Sequence, residues 1–306
     1  MDRRAFLTNM LHGTLATILT PEIVPQLLIR QYAAIPQVDW NSAETARITA
    51  IGIGRFGASC TRLLAYNTTN VTCHDVIFNP ATSSDTSGIN RLFKSIRGSN
   101  LLFLLTSYDD PYCEAIFTAC VETAESVGVL TVGAVQQSDK VTPTIETSGA
   151  IFALPSDLLQ PAFNRTPQPL DQHMPFTNHS VLQLVKSVSD IVNKQGYIGI
   201  DYADVTAILK SGNKGWLGVG TASGAQKERT AVSLALEDLE RQGIDPNKCS
   251  GFLTCLHTSL EPTFEDVETL INELFRYFNR GTDFLFNYSK EILAESKVRV
   301  AIMAMT

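Results

Sequence analysis

From residue 47 onward, short apolar runs of strand length alternate with longer runs of helical character. The runs at 47–54, 100–107 and 129–137 are nearly continuous in apolar residues, and helical sequences separate them. A strand that is apolar on both faces is typical of a parallel sheet whose two faces are covered by helices. The alternation therefore predicts an α/β fold with a mostly parallel sheet.

The same pattern continues to the end of the chain. We predict further strands at 70–79, 148–155, 251–259, 282–289 and 297–305, and helices that begin near 57 and at 91, 111, 179 and 264. The helix from about 179 to 195 has one apolar face, formed by Val181, Leu182, Leu184, Val185, Val188 and Ile191. It stands between two α/β halves, which a chain of 306 residues is long enough to form.

Composition excludes several classes of function. The net charge of -7 argues against nucleic acid as a partner, because phosphate binding needs clustered Lys and Arg. The five histidines lack metal-ligand spacing, so we expect no metal. The six cysteines form no C-x-x-C pair, and we expect them to be buried thiols in a reducing compartment.

The first forty residues allow two interpretations. Arg3 and Arg4 precede Phe6 and resemble a twin-arginine export signal, but polar residues interrupt the segment that follows. Leu7, Leu11, Leu15 and Ile18 fall at helical spacing instead. We expect an amphipathic helix that packs on its own domain or on a partner, in a cytoplasmic protein that associates with membranes through this helix or a membrane-protein partner.

The segment "RITAIGIGRFGASC" (47–60) contains G-x-G-x-x-G at Gly52, Gly54 and Gly57. A dinucleotide site also needs an acid about 20 residues further on, at the end of the second strand. Here that strand is predicted to end near 78–80, and Asp75 lies inside it. A site of the NAD type therefore stays an alternative with weak support.

Segments downstream resemble the FtsZ/tubulin family. "GYIGIDYADV" (196–205) resembles the synergy loop of FtsZ, whose pattern is G-L-I-N-x-D-F-A-D-V. Similar matches occur, in the right order, in "VLTVGAVQQ", "AIFALPSDLL", "GWLGVGTASG", "GFLTCLHTSLEPTFEDVETLINELF" and "KVRVAIMAM". The resemblance covers residues 47–306. It implies a parallel, Rossmann-like GTPase domain, a central helix and a smaller C-terminal α/β domain.

The resemblance also implies domain boundaries. They are an N-terminal helical extension at 1–40, the GTPase-like domain at 41–178, the central helix and synergy loop at 179–205, and the C-terminal domain at 206–306. The chain ends one residue after its last predicted strand, and we therefore expect no partners of the family's terminal peptide.

Two sets of site residues follow from the resemblance. Gly52, Gly54, Arg55, Gly57 and Ser59 correspond to the family's first phosphate loop, which is normally a run of glycines ending in Gly-Gly-Asn. Asp201 and Asp204 match the two acids of the synergy loop. In the family these acids reach into the next subunit of a filament and orient water against its γ-phosphate.

A purely structural role is open for Asp201 and Asp204. An Asp at the N-cap of a helix, with a second acid three residues later, is a capping arrangement. Their spacing before "YADVTAILK" fits that arrangement as well as it fits catalysis.

The nucleotide side departs from the family pattern. Where relatives carry a G-G-G-T-G-T-G loop, this chain has "TSYDDPYCEA" (106–115). Asp109 and Asp110 would stand where phosphates bind, and two unit charges about 5 Å apart repel by about 3 kcal/mol at an effective dielectric of about 20. The family's guanine-reading Asn-Asp pair is matched only by His179-Ser180, and serine cannot accept the guanine N–H bonds as a carboxylate does.

We therefore expect a pseudo-GTPase with no resident cofactor, a cytoskeletal or assembly protein that associates with itself or with an ordinary FtsZ/tubulin-like relative. It would act in division or membrane remodelling. The alternative is a slow GTPase, with GTP or GDP held by Arg55 and the remaining glycines.

Asp110 offers a test of the altered loop. It precedes Pro111, and Asp followed by Pro is typical of an N-cap and the first helical position. Asp110→Ala should lower the free energy of unfolding by about 1 kcal/mol, whereas Asp109→Ala should leave it unchanged. Denaturant unfolding measures both variants, and an unchanged or higher stability of Asp110→Ala contradicts the capping role.

Overall fold

The computed structural model describes residues 46–77, 86–107, 111–136, 147–154, 176–193, 200–258, 263–278, 282–291, 293 and 297–306. The chain divides into two compact units, 1–148 and 149–306. The expected N-terminal helix lies outside the described residues. None of the described helices combines the length and the apolar character that crossing a bilayer requires.

The first unit has a parallel sheet of four strands, in the order β2-β1-β3-β4. The strands are β1 (Ile48–Ile53), β2 (Val71–Val76), β3 (Leu101–Ser107) and β4 (Leu130–Gln136). The helices are α1 (Gly54–Asn67), α2 (Thr86–Arg97) and α3 (Pro111–Glu125). The chain leaves β1 for β2 on one side and returns to β3 on the other, so the strand order reverses between β1 and β3.

The apolar runs form the interior of this unit, as the sequence predicts. All six residues of β1 are buried, and so are the first six of β3 and of β4. Phe103 on β3 and Phe117 on α3 are fully buried. The strands are apolar on both faces because helices cover the sheet on both sides.

The second unit has five strands, in the order β5-β6-β9-β7-β8. They are β5 (Ile151–Leu154), β6 (Lys214–Ser223), β7 (Gly251–Thr258), β8 (Asp283–Lys290) and β9 (Lys297–Met305). The helices are α4 (Phe176–Asn193), α5 (Tyr202–Leu209), α6 (Lys227–Arg241) and α7 (Phe264–Tyr277). β9 runs antiparallel to both β6 and β7, whereas β5–β6 and β7–β8 are parallel pairs.

β6 and α6 are not among the predicted elements, because the glycines of β6 resemble turn residues. Two of these glycines face α6. A Cβ at Gly218 or Gly220 would overlap the backbone carbonyl of Ala235 or Ala231 on that helix. Their missing side chains allow α6 to lie directly on β6.

One face of the second sheet packs on α6 and α7. The apolar cluster there includes Val232 and Leu236 of α6, Leu274 of α7 and Ile302 of β9. The rings of Phe252 and Phe278 stack with centroids 3.7 Å apart. β7, β8 and β9 send alternate residues into this cluster, since successive side chains of a strand point to opposite faces.

A buried hydroxyl in β7 gives a stability prediction. Thr254 is fully buried, and its Oγ1 has no hydrogen-bond partner among the described residues. Because an unsatisfied buried polar group is unfavourable, Thr254→Val should raise the free energy of unfolding by about 1 kcal/mol.

The matched control is Thr61→Val, since the buried Thr61 hydroxyl has carbonyl partners at Gly57 (3.2 Å) and Ala58 (3.1 Å). Urea unfolding compares the two variants, and the control should gain nothing. A loss of stability in Thr254→Val would show that the hydroxyl is satisfied in solution.

Candidate functional site

The predicted phosphate loop lies at the carboxyl edge of the first sheet, where the strand order reverses. α1 begins at Gly54, directly after β1, and α3 begins at Pro111, four residues after β3. Ligands of open α/β sheets bind outside the carboxyl ends of the strands at such a reversal. The strand order therefore makes this edge the place where a ligand of such a sheet would bind.

Gly52 and Gly57 are buried at this edge, where their backbone atoms are in close contact with neighbouring backbone. A Cβ at Gly52 would overlap the carbonyl of Gly57, and a Cβ at Gly57 would overlap the carbonyl of Leu105 on β3. The two glycines bring α1 into direct contact with β1 and β3. The need for glycine at these positions is explained by helix–strand packing, with no ligand required.

Gly54 starts α1 with a φ of 73°, in the left-handed region that favours glycine. The space where its side chain would lie is next to Sγ of Cys113, in the first turn of α3. Cys113 is buried. Cys113 thus lies between the first turns of α1 and α3. The sequence pattern did not indicate that it would be next to Gly54.

The first turn of α1 keeps some features of an anion site. It contains no acidic residue, and the N-cap residue Ile53 makes no side-chain capping bond. Arg55 and Ser59 are exposed, and Phe56 is half-buried. Arg55 forms no ion pair with another described residue. The backbone N–H groups of this turn and the Arg55 guanidinium are therefore the groups that could hold a phosphate here.

The end of β2 corrects one expectation. The strand was expected to reach 78–80, but it ends at Val76, where its pairing partner Ile53 is the last residue of β1. Asp75 therefore lies next to last in β2 rather than well inside it. Its carboxylate is 3.9 Å from the Arg62 guanidinium, and both side chains are largely exposed. A pair of this kind contributes little to stability.

The remaining nucleotide elements are only partly visible. Asp109 and Asp110 lie outside the described residues, although the predicted helix start at Pro111 is confirmed. α4 begins at Phe176 rather than 179, so His179 and Ser180 lie inside its first turns. Ser180 is 5% exposed and His179 is half-buried.

Asp201 and Asp204 form the capping box that their spacing predicted. Asp201 is the N-cap of α5, and its Oδ1 accepts a hydrogen bond from the backbone N–H of Asp204 at 2.8 Å. Asp204 Oδ2 accepts in return from the N–H of Asp201 at 3.3 Å. Both residues are exposed. The capping role is thus confirmed, and it leaves both residues exposed to solvent.

The cysteines lack the chemistry of a nucleophile. All six are thiols rather than disulfides, and five are buried, whereas Cys73 is half-buried. Burial raises the pKa of Cys60 and of Cys120 to about 12, and that of Cys73 to about 11. Such thiols stay protonated at neutral pH and are unreactive. Among the described residues there is also no cluster of His, Cys, Asp or Glu that could hold a metal ion.

No protein-family model matches the chain. A curated relative, cell division protein FtsZ 1 of Archaeoglobus fulgidus, is 22% identical over 195 residues, which are 60% of this chain and 52% of that protein. The chain thus matches about half the length of this relative. The match and the architecture described above point to the same group of proteins. The chain is a divergent FtsZ/tubulin-like protein.

Solved structures of FtsZ/tubulin-like proteins share its fold. An empty FtsZ dimer from M. jannaschii superposes with a TM-score of 0.69 at 17% identity, over 94% of this chain and 93% of that one. TubZ of Bacillus thuringiensis serovar israelensis, solved as GDP-form protofilaments, gives a TM-score of 0.55 at 10% identity, over 85% of both chains. The fold class expected from the sequence is therefore confirmed.

The packing role of the glycines in this FtsZ/tubulin-like fold can be tested without a ligand. Gly57→Ala should lower the free energy of unfolding by about 3 kcal/mol, because the added methyl group meets backbone that cannot move aside cheaply. The control is Gly98→Ala, where a Cβ would have no neighbour nearer than 3.5 Å. Chemical unfolding without nucleotide measures both, and equal stabilities would mean that Gly57 is not needed for packing.

Proposed function

We propose that this protein is an FtsZ/tubulin-like assembly protein that works by association and has no competent nucleotide site of its own. The observation that carries the proposal is the contrast between two segments. The capping box at the start of α5 presents Asp201 and Asp204 intact and exposed, as in the synergy loop that it resembles. In the phosphate-loop segment, by contrast, Gly52 and Gly57 are in close contact with the protein's own backbone, and Gly54 is in close contact with Cys113.

The relatives support the association part of the proposal. FtsZ of M. jannaschii was solved as a dimer, and TubZ as protofilaments. In an FtsZ filament, the nucleotide face of one subunit meets the synergy loop of the next. A chain with only the synergy-loop side intact can add to a nucleotide-bearing relative but offers no matching site to the following subunit.

The acidic residues at the two contact faces disfavour a head-to-tail homopolymer. Asp109 and Asp110 stand in the sequence where the signature loop would hold phosphates. In a head-to-tail homopolymer they would meet Asp201 and Asp204 of the next copy, and like charges at close range cost several kcal/mol. Association with an ordinary FtsZ/tubulin-like relative, or self-association through another surface, is therefore favoured. We place this activity in the cytoplasm, in division or membrane remodelling, with contact to a membrane made through a partner protein or the segment 1–40.

A slow GTPase is the second candidate. The first turn of α1 favours it, because that turn lacks an acidic residue and exposes Arg55. Extraction of the purified protein, followed by chromatography of any released nucleotide, separates the candidates. No nucleotide supports the assembly protein, GTP or GDP supports the slow GTPase, and NAD would support the dinucleotide site.

We expect no GTP turnover by the pure protein, because its signature loop is "TSYDDP". Phosphate release measured over hours should stay at the level of a buffer blank. Turnover comparable to that of an ordinary FtsZ would show that the pseudo-GTPase assignment is wrong.

The acids of the capping box can be tested by removing charge while keeping the cap. Asn is as good an N-cap as Asp, so Asp201→Asn combined with Asp204→Asn should leave the stability of α5 nearly unchanged. The double variant should nevertheless lose any effect of the protein on the GTP turnover of a co-purified FtsZ/tubulin-like relative. Asp201→Ala also loses the cap, so it serves as a control that shows how loss of stability in α5 alone affects the GTP turnover of the relative.

Sedimentation and electron microscopy of the pure protein, with and without GTP, provide the second readout. We expect no long filaments. Single-protein protofilaments with an FtsZ-like repeat would contradict the charge argument. An unchanged effect of the Asn double variant on the relative would show that the acids serve only as a cap.

A further inference from the structure

The two edges of β6 differ in what they bond to. Lys214 and Thr306 exchange both of their backbone hydrogen bonds, at 3.1 Å and 2.9 Å, and the antiparallel register with β9 then runs without a break to Ser223. Because hydrogen-bonded pairs alternate in an antiparallel ladder, the even-numbered residues of β6 bond to β9. The N–H and C=O groups of the odd-numbered residues therefore point to the opposite edge, which we call the β5-side edge.

β5 pairs with only the start of this edge. Among the described residues, the last parallel pair joins Phe152 to Gly215. In the same register, Pro155 would stand opposite Gly218. A residue at that place of a parallel strand donates its N–H to the β6 residue before Gly218 and accepts at its C=O from the residue after it. Proline has no N–H, so a continued β5 could not make both bonds.

Two side chains of α6 and its C-cap make both of these bonds instead. Nε2 of the C-cap residue Gln242 donates to the C=O of Leu217 at 2.9 Å. Oδ2 of Asp238, which is 5% exposed, accepts from the N–H of Val219 at 3.1 Å. Nε2 of Gln242 also donates to the backbone C=O of Asp238 at 3.1 Å, which holds the amide in place. We call Asp238 and Gln242 the edge clamp.

The edge clamp depends on the close contact between α6 and β6. Gly218 lies between Leu217 and Val219, and a Cβ there would overlap the carbonyl of Ala235 on α6. Aspartate is a short side chain, so its carboxylate bonds to the backbone of a neighbouring element only where the two elements nearly touch. The missing side chain of Gly218 thus brings the helix near enough for Asp238 to act in place of a strand.

An unpaired strand edge is a template for the addition of another strand. The β5-side edge continues past the edge clamp to Thr221 and Ser223, which are exposed. A strand that added along this edge would displace a hydrogen bond to a carboxylate, which is stronger than a bond between neutral groups. It would also set its own carbonyl oxygen against the buried Asp238 carboxylate. Inward-pointing charges and covering helices are the means by which proteins block such edges.

We propose that the edge clamp is an autoinhibitory contact, which closes the β5-side edge of β6 and excludes an extended strand of a second copy. Self-association of the protein is thereby confined to other surfaces. The proposal rests on contacts within the second unit and does not depend on the proposed function.

The test removes the edge clamp and keeps the rest of α6. The double variant Asp238→Ala with Gln242→Ala loses both contacts to β6. The matched control is Glu237→Ala with Arg241→Ala, in which each substitution lies one position before a clamp residue. It removes an exposed ion pair of 3.1 Å on the same helix. Both variants are compared with the wild-type protein without nucleotide, by amide hydrogen exchange in NMR and by sedimentation velocity.

In dilute solution, the double variant should exchange the N–H of Val219 about tenfold faster than the wild-type protein, because it loses a hydrogen bond to a buried carboxylate. The N–H groups of Gly218 and Gly220 face β9 and should exchange at the wild-type rate. At higher concentration, the double variant should form dimers or larger species beyond those of the wild type. The protection of Val219 should then return, because a partner strand accepts its N–H. The control should match the wild type in both measurements.

Gln242→Ala alone should associate in the same way but more weakly, and it decides the question if the double variant does not fold. Wild-type sedimentation of Gln242→Ala and of a folded double variant would overturn the proposal. So would equal association of the control. Association that leaves the N–H of Val219 unprotected would also overturn it, since the new contact would then lie elsewhere.

Discussion

The close approach of α1 to β1 and β3 is the contact on which the first unit depends. It is possible only because Gly52 and Gly57 have no side chains, so that backbone meets backbone. The contact places the start of α1 at the carboxyl edge of the sheet, where a nucleotide site would also need it. A G-x-G-x-x-G pattern can therefore be kept for packing after the phosphate chemistry has changed, and its presence alone does not indicate a ligand.

The sequence predicted the elements that local pattern specifies. The last strand, 297–305, has the bounds expected from its apolar run, and the buried strand β3 agrees within one residue. The error at the end of β2 has a non-local cause. Ile77 and Phe78 are apolar and extend the strand-like sequence, but β1 has already turned into α1 at Gly54 and offers no further pairing partner. β2 ends where its neighbour β1 ends, and the end of β1 is determined by residues 53 and 54, which are more than 20 positions away in the chain.

The candidate site shows the same division between local and distant information. The capping box of Asp201 and Asp204 depends on residues three apart, and their spacing was enough to predict it. The position of Cys113 beside Gly54 depends on how α3 lies against α1, and no pattern within either segment indicates it. β6 and the antiparallel insertion of β9 between β6 and β7 are likewise properties of pairing. The hydrogen bond from Arg299 to Gln183 joins residues 116 positions apart, and sequence spacing does not indicate it.

The double role of the acids limits what their presence can prove. Carboxylates at the first turn of a helix are stabilised by its free N–H groups and by its dipole, whatever else they do. In a chain that has lost every assembly contact, Asp201 and Asp204 would still be favoured for the stability of α5. Their exposure is the more informative property, because a cap needs only the inward oxygens and would tolerate burial of the rest. Capping acts mainly through an oxygen acceptor, whereas the proposed association would act through charge. Only a substitution that keeps the acceptor and removes the charge can therefore separate the two roles.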